Sequence, residues 1–495
     1  MATPRTMRGH RRGTALPPGL QAANFRKIAP NGLGDPHNTY PHAMTWFGGR
    51  LYVSTTRDNL VFPKLRYPFE IPLSCWPVRL PQDLWDLDLR AQIWRYDPAA
   101  DRWSMVHAAP LERGREGRQV PSCIAYRAMA VFRSRHDTAA ALYAPTFAPL
   151  LLGRGSAIVR SYDGEEYEVG PEPGLAVGNG RFRSFRTLKA FGDRLFTAPT
   201  MGDAVGRPNQ AGVAVVLVTT DPFRDGWRVA NEPSFGDPGN LTVFDLAVCA
   251  GRLYAGTMNV QRGFQVWKTD AAGPPPFRWV KVLDRGAGRG QFNQGAITMV
   301  PFRGSLYIAA AVQNGGFDRV HGIGPVAAEL LRLHPDDTWD LIAGEPRLTE
   351  QGLKPPLSGM GSGFNNPFAG YFWQMCEHDG WLYLGTFDSS AFLPFHPMEK
   401  APAPFRNALE TIGVETFLNR FGGFDLWRTR DGVRWTRVTS NGFGNPYNYG
   451  VRTMASTPHG LFLGATNPFG PEVAVRRAGG WVYEANPRGG LEIWL

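Results

Sequence analysis

One position of a repeated segment carries three arginines and a histidine. Two residues ahead of a recurring Met or Leu stand His42, Arg127, Arg186, Phe244, Ile297, Trp373 and Arg452. A guanidinium forks onto carboxylate, sulfate or phosphate through two parallel hydrogen bonds, so Arg127, Arg186 and Arg452 together suit an anionic group. Imidazole titrates near neutrality, which makes His42 a candidate general base, with Tyr40 and Tyr449 at the same rim as further proton-transfer candidates. Trp373 and Asp245 complete the candidate substrate-binding set. The chemistry would be proton transfer beside a bound anion, of lyase, isomerase or hydrolase type. A plainer duty is open to the same residues: arginines also pair with acids between repeats, and an isolated His or Tyr is often structural.

These residues need strands to hold them. An apolar-aromatic pair recurs at Leu51-Tyr52, Leu142-Tyr143, Leu195-Phe196, Leu253-Tyr254, Leu306-Tyr307, Leu382-Tyr383 and Leu461-Phe462. Met44, Leu188, Leu246, Met299, Met375 and Met454 stand seven residues earlier, with Met129 in that role ahead of a longer turn. This spacing predicts a strand, a turn and a second strand in fixed register. A third run follows, ending near Trp94, Val159, Leu217, Trp267, Leu331, Trp427 and Trp494, then a turn such as Asp431-Gly432, then a fourth strand opened by an aromatic such as Trp435. The last repeat lacks its fourth strand, because the chain stops at Leu495. The stretch from Phe25 to Asn38 matches Trp435 to Asn448, so the amino-terminal strand is expected to complete the last unit and leave no open sheet edge. The expectation is an all-β, seven-bladed β-propeller over residues 24–495, preceded by a disordered basic tail at 1–23.

The pattern G-F-G-[D/N]-P-x-N, then L-Y-x-G-T, then I-W-R-x-x-D-G-x-x-W, seen most cleanly from Phe421 to Gly450, resembles bacterial repeat propellers loosely related to the Asp-box and kelch-like families. In the hairpin Thr429-Arg430-Asp431-Gly432-Val433-Arg434-Trp435 the Asp and Gly are adjacent, where the Asp box has a residue between them. The resemblance implies the fold and not sialidase chemistry, since propellers host unrelated functions. The recurring Asn38, Asn240, Asn293 and Asn448 are read as satisfying turn backbone.

In this topology the long inserts, 57–90 and 387–422, fall on one face with shorter ones at 201–213 and 312–328, and such asymmetry often builds a binding face. The first insert, with Val61, Phe62, Tyr67, Phe69, Ile71, Trp76, Trp85 and prolines 63, 68, 72, 77 and 81, is too apolar for a linker. It is either a packed lid or a partner-docking surface. The sixth-repeat insert is expected to hold one helix, capped by Asn407 with Glu410 and carrying Leu409, Ile412, Thr416, Phe417 and Arg420 on one face, weakened by Gly413.

Composition narrows the function. The net charge of +10 is mostly scattered arginine with no run outside the tail, so nucleic acid is not expected as a partner. No apolar stretch is long enough for a spanning helix. The tail lacks an apolar signal core, and Cys75, Cys123, Cys249 and Cys376 form no CxxC, so a reducing cytoplasm is expected. His37 and His42 with Asp35 lack a recognisable metal spacing, the G-x-G steps read as turns rather than phosphate cradles, and no cofactor or metal is expected. The reading is a top-face pocket that binds or acts on a polar, anionic small molecule or glycan. The alternatives are a noncatalytic scaffold holding a protein through residues 57–90, and a glycan-binding module without catalysis.

Overall fold

A computed structural model describes residues 18–61, 73–115, 117–173, 182–200, 210–318, 320–396 and 403–495. The fold is all-β. The first meander runs Asn38–Phe47, Arg50–Arg57, Gln92–Asp97 and Arg102–Ala108, hydrogen-bonded in that order. The same antiparallel order recurs over 130–169, 184–229, 242–283, 295–343 and 369–439. Register follows the anchors: Met44 faces Val53, Leu246 faces Ala255 and Met454 faces Leu463. The innermost strand of each meander packs beside that of the next, and Asn38–Phe47 lies beside both Ala130–Phe132 and Gly450–Thr457, so the cycle closes.

The last unit has three strands of its own, Gly450–Thr457, Gly460–Thr466 and Glu492–Trp494. The amino-terminal segment supplies the fourth. Arg26 N–H donates to Leu495 O at 2.8 Å, Leu495 N–H returns to Arg26 O at 3.0 Å, and Ile28 N–H donates to Ile493 O at 2.9 Å. Phe25 and Ile28 are buried against the last unit, and Trp103 of the first unit donates its indole N–H to Ile28 O. The segment therefore also ties the last unit to the first.

The turn before five of the inner strands is a left-handed step. Leu33, Phe235, Ala287, Phe364 and Phe443 all have φ between 53° and 59°. Such residues cost backbone strain unless the surroundings hold them. The repeated asparagine holds four of them: Asn38, Asn240 and Asn448 donate Nδ2 to the backbone carbonyl six residues earlier and Asn293 to the one seven earlier, at 3.0 Å in every case. The Asp431 hairpin turn is likewise tied by its own side chain, which accepts from Val433 and Arg434 N–H.

Three expectations change. Pro18–Ala23 do not belong to a free tail: Leu20 donates its N–H to Tyr383 Oη and accepts from Arg428 Nη1. The sixth-repeat insert holds two helices, Ala403–Ile412 and Val414–Phe421, because Gly413 takes φ 81° and breaks them, and Asn407 lies inside the first rather than at its cap. Hairpins that the repeat pattern did not reveal occur at Leu111–Arg113 with Gln119–Pro121, at Arg347–Thr349 with Gly352–Lys354, and at Glu472–Arg477 with Gly480–Ala485. Among the described residues no helix is long and apolar enough to cross a membrane.

Candidate functional site

The position that carries the arginines is a bulge in nearly every inner strand. Cα pairing skips from Pro41 to Ala43, Phe185 to Thr187, Val243 to Asp245, Ala296 to Thr298, Phe372 to Gln374 and Val451 to Thr453. The skipped residues are His42, Arg186, Phe244, Ile297, Trp373 and Arg452. In the second unit Arg127 follows the bridge Tyr126–Thr146, and three residues there oppose two before pairing resumes at Ala130–Tyr143. A bulge breaks the alternation of faces and re-aims one side chain. Strict alternation would have kept these residues on the side of the Met/Leu anchors; the extra residue releases them from it.

His42, Arg127, Arg186 and Arg452 converge. Burial first, then the charges of Arg452, Arg127 and Arg186, hold His42 well below its ordinary value. Burial and then the charges of Arg127 and Arg452 lower Arg186 well below the usual guanidinium range, and burial followed by Arg452 lowers Arg127 to about 10. Arg127 Nη1 is aimed by Thr200 Oγ1 at 2.9 Å and Ser184 Oγ at 3.3 Å. Arg186 Nε donates to Phe244 O at 3.0 Å, and its guanidinium lies 3.4 Å from the centroid of the Phe244 ring. His42 Nδ1 shares a 2.8 Å hydrogen bond with Thr56 Oγ1, a partner with no sequence signal because it belongs to the neighbouring strand.

The tyrosines and Trp373 join the same region. The Tyr40 ring lies tilted against His42 with centroids 4.7 Å apart and meets Trp373 edge-on at 5.7 Å. Trp373 lies 5.9 Å from Tyr449, and the Arg452 guanidinium is 5.8 Å from the Trp373 ring. Gly450 makes room for that indole, since a Cβ there would stand 2.4 Å from Trp373 Cε3. Burial raises Tyr449 well above the usual phenol range, with Tyr40 adding to the shift, and burial raises Tyr371 to about 12. Near neutral pH the imidazole is thus neutral and the phenols are protonated, and the same shifts make His42 a weaker base and Tyr449 a weaker acid than the free side chains.

The first insert starts beside this group. Trp76 is 1% exposed and Leu60, Val61, Cys75 and Val78 are buried in the same core cluster as Trp373 and Tyr449. The insert is clamped by the hairpin of the last unit: Ala474 N–H donates to Pro77 O, Tyr483 Oη donates to Trp76 O, and Arg79 pairs with Glu472. A docking surface built on an exposed Trp76 is therefore ruled out, and Trp85 is half-buried. Phe62, Pro63, Tyr67, Pro68, Phe69, Ile71 and Pro72 lie outside the described residues.

Asp245 is placed differently from the rest of the candidate set. Its carboxylate accepts from Met299 N–H at 2.8 Å and Leu246 N–H at 2.9 Å, and from Thr187 Oγ1 at 3.5 Å. It stitches three neighbouring inner strands together, because the residue after the bulge turns away from the bulged one. Repeat comparison also passed over a carboxyl pair in the sixth unit: Asn366 Nδ2 bridges Asp388 at 2.8 Å and Asp425 at 3.2 Å, both deeply buried. Burial, with Asp425 adding to it, pushes Asp388 up to about 7. The native state therefore holds this proton more tightly than the unfolded chain, so its contribution to stability is full below the unfolded value of 3.8 and is lost as pH rises toward 7. Asp388→Asn keeps the neutral shape, and its urea-unfolding free energy relative to wild type is expected to improve by roughly 2 kcal/mol between pH 5 and pH 8. An unchanged difference across that range would mean Asp388 is ionised in the native state.

No family model matches the chain and no curated protein matches it. Among solved structures it is similar to a prolyl endopeptidase, at 9% identity and a TM-score of 0.39, covering 86% of this chain and 46% of that one. Trypanosoma rangeli sialidase in complex with sialic acid shows 10% identity and a TM-score of 0.37, over 91% of this chain and 70% of the sialidase. A Bacillus subtilis arabinoxylan arabinofuranohydrolase of glycoside hydrolase family 43 shows 11% identity and a TM-score of 0.35, over 73% and 81%. This chain spans less than half the length of the endopeptidase. At such scores the likeness decides neither fold nor activity, and the functional reading rests on the site itself.

Proposed function

We propose that the chain is a seven-bladed β-propeller, related to the Asp-box and kelch-like repeat propellers, whose central top-face pocket takes a small anionic molecule or an acidic glycan unit. The closed cycle of inner strands and the amino-terminal strand paired with Trp494 support the blade count. One observation carries the ligand class: Arg127, Arg186 and Arg452 come from three separate strands to within electrostatic reach of one another and of His42. Burying like charges together is unfavourable, and a bound anion shared among them would lower that cost. A carboxylate seated there would place an adjacent acidic C–H or a leaving oxygen beside His42 and Tyr449, which suits lyase, isomerase or hydrolase chemistry. The described part of the first insert, with Val61 and Trp76 packed in one cluster with Trp373 and Tyr449, serves as a lid in this reading.

The test is a thermal-shift screen against monocarboxylates, sugar acids, sulfate and phosphate esters, and neutral sugars. Anions are expected to raise the unfolding midpoint by several degrees and neutral sugars to leave it unchanged. If no anion shifts the midpoint, or if neutral sugars shift it equally, the anion reading falls. A ligand that binds and is returned unchanged after long incubation would point to a binding module without catalysis.

A further inference from the structure

The two buried carboxyl groups of the sixth unit stand where the chain leaves for its long insert and where it returns. Asp388 ends the second strand, Trp381–Asp388, and Asp425 directly precedes the third, Leu426–Thr429. Asn366, from the turn ahead of the first strand, donates to both. Other units put the corresponding positions to a simpler use. In the first unit Asp35 pairs with Arg57, and in the fourth Asp237 accepts from Gln265 at 2.9 Å. In the fifth Glu329 pairs with Arg289, and in the last Glu492 accepts from Asn445 at 3.0 Å. Each of these units sets one acid against a donor, whereas the sixth sets two acids against one amide. The orientation of that amide is fixed, because Phe368 N–H donates to Asn366 Oδ1 at 3.0 Å and so turns Nδ2 toward the carboxyls. A donor aimed at both stands against a metal ion between them; the hydrogen that a second donor supplies elsewhere must here be a proton.

What the pair holds is the turn Ser389–Phe395. Asp388 caps it by accepting from Ser390 N–H at 2.8 Å, and Asp388 N–H donates to Tyr449 O at 2.6 Å. From this turn Phe392 packs against Tyr449 and Phe469, Phe395 stacks on Phe469, and Phe395 O accepts from Cys75 Sγ of the first insert. One turn therefore joins both inserts, the last unit and a phenol of the candidate site.

We propose that Asp388 and Asp425 form a proton-operated latch on the top face. One proton between the carboxyls, with Asn366 bonded to both, holds the turn Ser389–Phe395 down. Its loss sets two carboxylates against each other at the root of the insert and loosens the turn beside Tyr449. The latch concerns the cover of the site, and it stands whatever the site takes. Among the described residues Arg437 is the charged group that acts on the pair, from the Asp425 side, while Ser390 and Trp427 meet it with neutral groups. Glu415 and Arg420 of the helix Val414–Phe421, which packs on the same turn, are exposed. The closed turn binds the proton more tightly than an open one in which Asp388 meets water. Closure is thus favoured most at acid pH, weakens as pH rises toward about 7, where Asp388 ionises in place, and changes no further above it.

The experiment is amide hydrogen exchange of the full chain from pH 5 to pH 8, with protection corrected for the intrinsic pH dependence of exchange. Protection across residues 389–395 is expected to fall by at least about tenfold between pH 5 and pH 7 and then to level off. The inner strands Asn38–Phe47 and Thr242–Cys249 should keep theirs. In Asp388→Asn or Asp425→Asn, whichever folds, an amide takes the place of the proton and the pH dependence of the turn should be largely lost. Turn protection that does not change with pH in the wild type overturns the latch. So does a loss shared equally by all the inner strands, because the pair would then act on the whole fold and not on the turn. A folded variant that keeps the wild-type pH dependence would place the responsible group elsewhere. None of these readings needs a ligand, so a failed anion screen leaves them intact.

Discussion

Arg186→Ala is expected to weaken binding of a carboxylate ligand by about 100-fold, while the unfolding midpoint of the unliganded protein stays the same or rises. The affinity loss follows from removing one charge-assisted, geometrically fixed hydrogen-bond donor, worth roughly 3 kcal/mol in a buried site. The stability expectation has the opposite origin. Burial and the charges of Arg127 and Arg452 lower the proton affinity of Arg186 in the native state. A cation whose native pKa is depressed is held at a cost, and deleting it relieves that cost for itself and for its two neighbours. Loss of the hydrogen bond to Phe244 O and of the contact with the Phe244 ring offsets part of the gain. Calorimetric titration together with thermal unfolding separates the roles. A variant that loses binding but not stability behaves as a ligand-binding residue, whereas one that loses several degrees and still binds the carboxylate would make Arg186 a structural tie between inner strands.

Removing residues 1–28 is expected to cost about 6–9 kcal/mol and to lower the unfolding midpoint by roughly 6–9 °C. Burial of Phe25 and Ile28 contributes about 1.5–3 kcal/mol each, and the backbone hydrogen bonds linking Arg26 and Ile28 to Leu495 and Ile493 contribute about 1 kcal/mol apiece. Trp103 would lose the acceptor for its indole N–H. The truncation would also leave Glu492–Trp494 as an open edge strand, which invites pairing between molecules, so aggregation on heating should accompany the loss. A synthetic peptide of residues 18–34 added to the truncated protein should restore part of the midpoint. An unchanged midpoint without the peptide would mean that the ring is held closed by contacts between inner strands alone.

Much of this architecture was legible in the sequence because strand pairing leaves a short-range trace. The Met/Leu anchor and the Leu-Tyr or Leu-Phe pair lie seven residues apart because they belong to one hairpin, and the register Met44–Val53 and Met454–Leu463 follows from that spacing. The match of Phe25–Asn38 to Trp435–Asn448 located the closing strand, since both segments lead into an inner strand through the same left-handed step at Leu33 and Phe443. Counting along repeats also placed His42, Arg127, Arg186, Trp373 and Arg452 at one level, with Tyr40 and Tyr449 at the rim, and the structure brings them together.

Other features depended on partners distant in the chain. Asp245 looked like a ligand contact by its neighbourhood in sequence, and only the pairing of adjacent inner strands shows it bonded to Met299 and Leu246 N–H. Trp76 could have lain on an exposed patch; its burial depends on the Glu472–Arg477 hairpin, nearly 400 residues away, closing over it. The helix of the sixth-repeat insert was visible in its periodicity, but the break at Gly413 came from a backbone angle that periodicity does not carry. The sequence by itself determined the strands of the repeats, their turns and the point of closure, because these rest on local alternation, turn chemistry and repetition. The bulge that frees the arginines and the partner of each buried polar group were decided by the tertiary structure, because each is a relation between strands and no single strand contains it.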